Sequence, residues 1–220
     1  MCTQFYLDRS PELKPYVDRA KHSPLLNSMI AKLGRPLKTE GVIRPTDIVP
    51  VVAPSKQSRD PSVFPMVWGF TNPRSGSPFV NARCETAAQR PLWRDSWRSR
   101  RCVVPASYYY EWQHYTGTDG RRKTGQKYMI QPRDCVIMYL AGLYSIEEQN
   151  GIRVPVFTVL TREPSADIRF IHDRMPVILP QKMIRQWIAP DGQPDEVMKT
   201  ALSEMVFEPV ERAKGIDYEP

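Results

Sequence analysis

Asp47-Ile48-Val49-Pro50-Val51-Val52, Val63-Phe64-Pro65-Met66-Val67-Trp68 and Cys102-Val103-Val104 are short apolar runs rich in β-branched residues, and their reading decides the fold. Each is too brief for a buried helix and stops at Gly, Pro or Ser within a few positions. Further runs of the same texture occupy Ser107 to Gln113, Lys127 to Gln131, Val136 to Ala141, Val154 to Leu160 and Pro176 to Leu179. These strands do not alternate regularly with helices, which favours an α+β fold with mainly antiparallel strands over a doubly wound one. A barrel-like sheet core with peripheral helices, in one domain spanning 1–220, is the expectation.

Helices are expected at the two ends of the chain. Ser10-Pro11-Glu12 has the form of an N-cap followed by proline at the first helical position, with Leu13, Tyr16, Val17 and Ala20 at helical spacing behind it. Pro15 is tolerable only in a first turn. Leu25, Leu26, Met29, Ile30 and Leu33 form a second stripe that stops at Gly34. A short helix is expected over Pro164 to Phe170, and two late ones over Gln181 to Ile188 and Pro194 to Leu202. Tyr115 to Gln126, rich in Gly, Thr and basic residues, reads as the loop of a long hairpin.

Composition narrows the function classes. The 220 residues are 41% hydrophobic and 25% charged, ordinary globular values that exclude disorder as the main description. No apolar run approaches the roughly 18 residues of a membrane helix. The start of the chain lacks the basic segment and apolar run of a signal peptide, so a cytoplasmic location is expected. Cys2, Cys84, Cys102 and Cys135 are widely spaced, with no C-x-x-C pair and only three histidines, a pattern for neither a structural zinc site nor disulfides. The net charge of +7 is unevenly spread. Residues 90–127 hold nine Lys/Arg against three Asp/Glu, whereas residues 191–220 hold three against eight. A basic body with an acidic end suits a polyanionic partner, and equally a solvated basic surface.

Four places carry chemistry. Removal of Met1 would leave Cys2 with a free α-amine, a 1,2-aminothiol that no internal cysteine offers. The amine titrates at about 7.7–8.0 and the thiol at about 8.5, so both are available near neutrality. Position alone does not set Cys2 apart from any other small residue. Asn81-Ala82-Arg83-Cys84-Glu85-Thr86 reads as a capped helix start, or as an amide that orients a polar group beside an arginine for phosphate. In Ser107-Tyr108-Tyr109-Tyr110-Glu111-Trp112-Gln113, alternation puts Tyr108, Tyr110 and Trp112 on one face and Tyr109, Glu111 and Gln113 on the other. A lone glutamate among aromatics is commonly a half-exposed strand residue, and is also where a carboxyl with a raised pKa acts as acid and base. His172-Asp173-Arg174-Met175-Pro176 places an imidazole between an acid and a base in a turn. No Ser-His-Asp motif, phosphate loop or dinucleotide fingerprint is present.

With Met1-Cys2, Arg44-Pro45-Thr46, Trp68-Gly69, Asn81 to Thr86, Arg101-Cys102-Val103-Val104-Pro105, Tyr110-Glu111-Trp112 and His172 to Pro176 taken in order, the chain resembles the SOS response-associated peptidase (SRAP) family, whose members process abasic sites in DNA. The resemblance covers most of the chain. It implies that Cys2, freed of Met1, captures the ring-opened aldehyde of an abasic site in single-stranded DNA as a thiazolidine crosslink, with associated lyase chemistry through the Schiff base. By the same resemblance Glu111 shuttles protons, His172 assists sugar-ring opening and reversal, and Asn81 positions the sugar. Arg83 and Arg174 would bind flanking phosphates, and Trp68 and Pro45 would support neighbouring bases. No cofactor, metal or membrane is implied, and a monomer is expected.

The sequence departs from the family at its start. The family commonly reads Met-Cys-Gly-Arg, where this chain has Met1-Cys2-Thr3-Gln4. A phosphate contact is thereby lost, and Arg44 is the candidate to compensate. Two other classes of function compete: a cysteine peptidase using Cys2 and His172, and a non-catalytic binder of single-stranded nucleic acid. The peptidase needs an oxyanion hole and a substrate groove, and the sequence reveals neither.

Overall fold

Pairing between the strands of the computed structural model, which describes residues 2–55 and 60–210, is antiparallel with two exceptions. The fate of Met1 and the last ten residues of the acidic end lie outside the described residues. Strand β1 (Gln4–Leu7) leads to helices α1 (Lys14–Lys21) and α2 (Pro24–Leu33), then to β2 (Gly41–Ile43). β3 (Ile48–Pro54) and β4 (Pro61–Trp68) pair with each other, β5 (Asn81–Arg83) runs into α3 (Cys84–Ala87), and α4 (Pro91–Ser99) precedes β6 (Arg101–Ala106). Four long strands follow: β7 (Tyr108–Thr116), β8 (Arg122–Pro132), β9 (Met138–Gln149) and β10 (Ile152–Arg162). The chain ends through β11 (Met175–Pro176), β12 (Ile178–Leu179), α5 (Ile184–Ile188), α6 (Pro194–Met198) and β13 (Met205–Pro209).

β10, β4, β3, β6 and β9 close a five-stranded ring, because β10 pairs both with β9 and, in parallel, with β4. Beyond the end of β4, β5 takes over as the parallel neighbour of β10, with Val159 opposite Asn81. A second sheet runs in the order β13-β8-β7-β1-β2. The α+β class and the barrel-like core are as expected.

Alternate residues of the ring strands serve two cores. Val52, Val63, Val67, Val103 and Leu143 pack with Met29, Trp93, Trp97 and Trp187 from the helices. Val49, Val51, Trp68, Val104, Leu140 and Phe157 pack with Phe5, Tyr109 and Ile130 from the second sheet. Both faces of β3 are therefore covered, which is why it reads as a continuous apolar run. Its two prolines, Pro50 and Pro54, face Pro65 and Pro61 across the ladder.

Closure needs one small residue. Gly142 lies opposite Cys102 on one side and Val159 on the other, and a Cβ there would stand 2.7 Å from the Thr158 carbonyl oxygen. Arg101, at the start of β6, is buried and donates to the carbonyls of Trp97, Arg98, Trp187 and Ala189, tying α4 to the end of α5.

Several boundaries differ from expectation. α1 starts at Lys14 rather than after Ser10, so that Pro15 falls in the first turn. α2, by contrast, stops at Gly34 as expected, with that residue at a φ of +65°. The strands of the β7–β8 hairpin extend through most of the stretch read as loop, leaving 117–121 as the connection. The segment 164–170 holds only a 3-10 turn, Ala166–Ile168. α4, unforeseen, buries Trp93, Ser96 and Trp97 and exposes Arg94, Asp95 and Arg98 on its other face.

Candidate active site

The site is built where the head of β1 meets three other segments. β1 lies between β2 and β7, with Gln4 opposite Tyr110 and Phe5 opposite Tyr109. Cys2, just before this strand, is fully buried, and its thiol lies 3.8 Å from its neighbour Gln4's carbonyl oxygen. Asn81, carried alongside by the parallel β5–β10 pairing, donates from Nδ2 to the Cys2 carbonyl at 2.8 Å. The Asn81 Oδ1 atom is buried and accepts no hydrogen bond among the described residues.

Glu111 is buried on β7, on the face of Tyr109, as the alternation requires. Its Oε1 accepts the Trp112 N–H at 3.2 Å. Burial raises its pKa above that of an exposed glutamate, by penalising the charged carboxylate. Burial, reinforced by the Glu111 charge, pushes the Cys2 thiol far up as well. The thiol is thus held protonated.

His172 closes the cluster from the loop before β11. Desolvation lowers its pKa to about 4, so the imidazole is neutral at physiological pH. Its Nδ1 lies 3.0 Å from the Arg174 N–H and 2.7 Å from an Asp173 carboxylate oxygen. With a lone pair there it accepts the first; with the hydrogen there it donates to the second. Asp173 also adds its charge to the forces raising Glu111, which links the loop electrostatically to β7.

A register shift between Trp112 and His114 brings His114 to the same loop. Its backbone N–H donates to the Ile171 carbonyl at 2.8 Å, and its ring centre is 4.8 Å from that of His172. Arg122, across the hairpin, holds His114 Nδ1 at 2.7 Å. Sequence patterning does not reveal this pair: a strict two-residue period does not anticipate a bulge, and Arg122 falls within the stretch read as loop.

The other expected residues occupy different places. Arg83 is exposed at the end of β5, and Arg44 is exposed beside half-buried Pro45 at the turn after β2. Arg174, expected on a phosphate, makes a two-pronged bond to Glu85, 2.8 Å at each prong, and donates to the Thr161 carbonyl at 2.7 Å. It fastens the His172 loop to α3. Trp68 corrects an expectation. It is fully buried between Phe5 and Phe157, with its indole N–H on the Val80 carbonyl, so it has no face to offer a base and instead underpins the segment bearing Asn81. All four cysteines are free.

Fold and site define an α+β barrel protein in which a buried cysteine at the head of the first strand is held by an asparagine and feels the charge of a buried glutamate, with a neutral histidine on the loop that packs against the same β7 strand. The chain belongs to the family described as SOS response associated peptidase (SRAP), whose model matches residues 1–214. It is 30% identical over 141 residues to abasic site processing protein YoaM of Bacillus subtilis, covering 61% of this chain and 60% of that one. It is 32% identical over 143 residues to YobE of the same organism, covering 61% and 62%, and 27% identical over 158 residues to YedK of Escherichia coli, covering 69% and 68%. The match to the two Bacillus relatives thus spans about three fifths of their length. Among solved structures, a protein from Bacteroides thetaiotaomicron has the same fold, with a TM-score of 0.70 at 20% identity over 96% of this chain and 92% of that one. A phage-related protein from Bordetella bronchiseptica gives 0.67 at 21%, covering 96% and 95%.

Proposed function

We propose that this protein captures the ring-opened aldehyde of an abasic site in single-stranded DNA through Cys2, after Met1 is removed. The α-amine of Cys2 adds to the aldehyde carbon and one water leaves, giving a Schiff base. The thiol then adds across the C=N bond, its proton passing to nitrogen, and a five-membered thiazolidine closes. Glu111 supplies and recovers protons in these steps, and neutral His172 assists opening of the sugar ring and reversal. Asn81 fixes the Cys2 backbone so that amine and thiol reach one carbon, and exposed Arg83 serves a flanking phosphate, while Arg174, already paired with Glu85, steadies the His172 loop.

The observation that carries this reading is the convergence on Cys2 of an amide at 2.8 Å and a buried carboxyl whose pKa is raised, in a family whose relatives are named for abasic site processing. The electrostatics weigh against the peptidase alternative. A cysteine peptidase works with a thiolate beside an imidazolium, whereas here burial disfavours both charged forms.

The test mixes protein verified by mass to begin at Cys2 with a single-stranded oligonucleotide bearing one abasic site. A heat-stable adduct, absent with Cys2→Ala, is expected. No adduct from the verified protein overturns the proposal.

A further inference from the structure

Lys127 stands apart from the other lysines of known contacts. Lys14, Lys123 and Lys199 each pair with a carboxylate on their own helix or hairpin. Lys127, half-buried on β8, sits instead among neutral groups. Its ammonium lies 3.9 Å from the Tyr110 ring centre and 5.8 Å from that of Trp112, and it donates to Gln4 Oε1 at 2.8 Å. Among the described residues, no carboxylate is within salt-bridge distance of Lys127 or of Arg44.

Strand register shows where this cation is. Phe5 faces Ile43 across β1–β2, so continuing that ladder by one residue sets Arg44 opposite Gln4. On the other side Gln4 faces Tyr110, and Trp112 faces Lys127. Arg44, Gln4 and Tyr110 therefore form a row across neighbouring strands, with Gln4 two residues along the chain from Cys2, and Lys127, diagonal to Tyr110 on β8, reaches its ammonium into that row. The row continues into Tyr108, whose ring is perpendicular to that of Tyr110 and parallel to that of Tyr6, 4.8 Å away. Tyr6, Tyr108 and Tyr110 share the face of the second sheet turned away from its buried side.

We propose that Lys127, with Arg44 beside it, is a seat for a backbone phosphate of single-stranded DNA next to the nucleotide held at Cys2. The inference deepens the abasic-site reading and rests on it for the direction of the strand. Three contacts already fix the ammonium, so little side-chain entropy is lost when an anion arrives. Two cations brought together without an acid repel each other, and a phosphate between them reverses that term. The Arg44 charge, after burial, is what depresses the proton affinity of Lys127. Gln4, uncharged, orients the ammonium without neutralising it; the cation absent from position 4 is thus supplied from β8. The tyrosine faces alongside suit bases that follow the same phosphate path.

The experiment measures equilibrium binding of a single-stranded oligonucleotide carrying a tetrahydrofuran abasic analogue, across a salt series, in a Cys2→Ala background where no crosslink forms. Lys127→Gln is expected to bind about tenfold more weakly at low salt and to lower the slope of log K against log salt by about 0.7. Lys127→Arg should restore the slope, which separates a charge effect from a folding defect, and Lys14→Gln should match the parent. An unchanged slope in Lys127→Gln, or no DNA binding by the parent, overturns the proposal. Because the assay needs no aldehyde, its failure is distinguishable from failure of adduct formation.

Discussion

The side-chain amide of Asn81 holds the main-chain carbonyl of Cys2 at 2.8 Å, joining two residues 79 positions apart. The bond fixes the backbone on which the proposed nucleophiles ride. Asn81→Ala removes it, and a hydrogen bond of this kind is worth about 1–1.5 kcal/mol, so single-turnover capture is expected to slow by about tenfold. Asn81→Asp presents oxygens to an oxygen and should be slower still. Wild-type rates in both variants would remove Asn81 from its assigned role.

Glu111 is the proposed proton carrier. Glu111→Gln keeps the shape and the acceptor for the Trp112 N–H while abolishing exchange. Capture should slow by about a hundredfold, the lower end of what a positioned acid–base group contributes, with noncovalent DNA binding retained. Stopped-flow capture alongside anisotropy separates the two quantities.

Much of the fold and part of the site are legible in the sequence, for identifiable reasons. β3 and β4 announce themselves because both faces are covered, and Glu111 falls on the buried face because β7 keeps its two-residue period as far as Trp112. The period then breaks at the bulge, and His114 escapes the pattern with it. α4 goes unrecognised because its apolar stripe is only two tryptophans among charges. The burial of Trp68 depends on Phe5 and Phe157, partners far away in sequence, and no local pattern reports that.

His172 titrates at about 4 in the folded protein, against about 6.5 when exposed. Above pH 6.5 it is neutral in both states and its contribution is fully present. As pH falls from about 6.5 towards 4, the unfolded chain binds the proton first, so stability declines over that window. Urea denaturation of His172→Gln across the same pH range should show a shallower decline. In NMR titrations, Arg122→Ala should move the His172 midpoint upward and Asp173→Asn should move it downward, since the two charges act on it with opposite sign.

Arg101 is a buried cation satisfied by carbonyls. Arg101→Met leaves those acceptors without donors inside the protein, and a loss of about 3 kcal/mol or more in urea denaturation is expected. Arg101→Lys, with a compact charge in place of a planar fork, should recover only part of it.

Gly142→Ala would drive a methyl group against the Thr158 carbonyl where the ring closes. Overpacking of this kind costs about 1–3 kcal/mol. A thermal midpoint equal to wild type would show that β9 and β10 can separate there without penalty.

The position of β1 in the interior of its sheet bears on how the site comes into being. Phe5 and Gln4 find their partners only at Tyr109 and Tyr110, and Asp8 reaches Ser107 across 99 positions of chain. During synthesis, then, Cys2 emerges long before β7 exists to shelter it, and the proposed nucleophiles would meet their proposed proton carrier, Glu111, only after such distant pairing. On the proposed chemistry, exopeptidase access to the terminus and possession of the finished site would belong to different moments in the life of the chain, in that order.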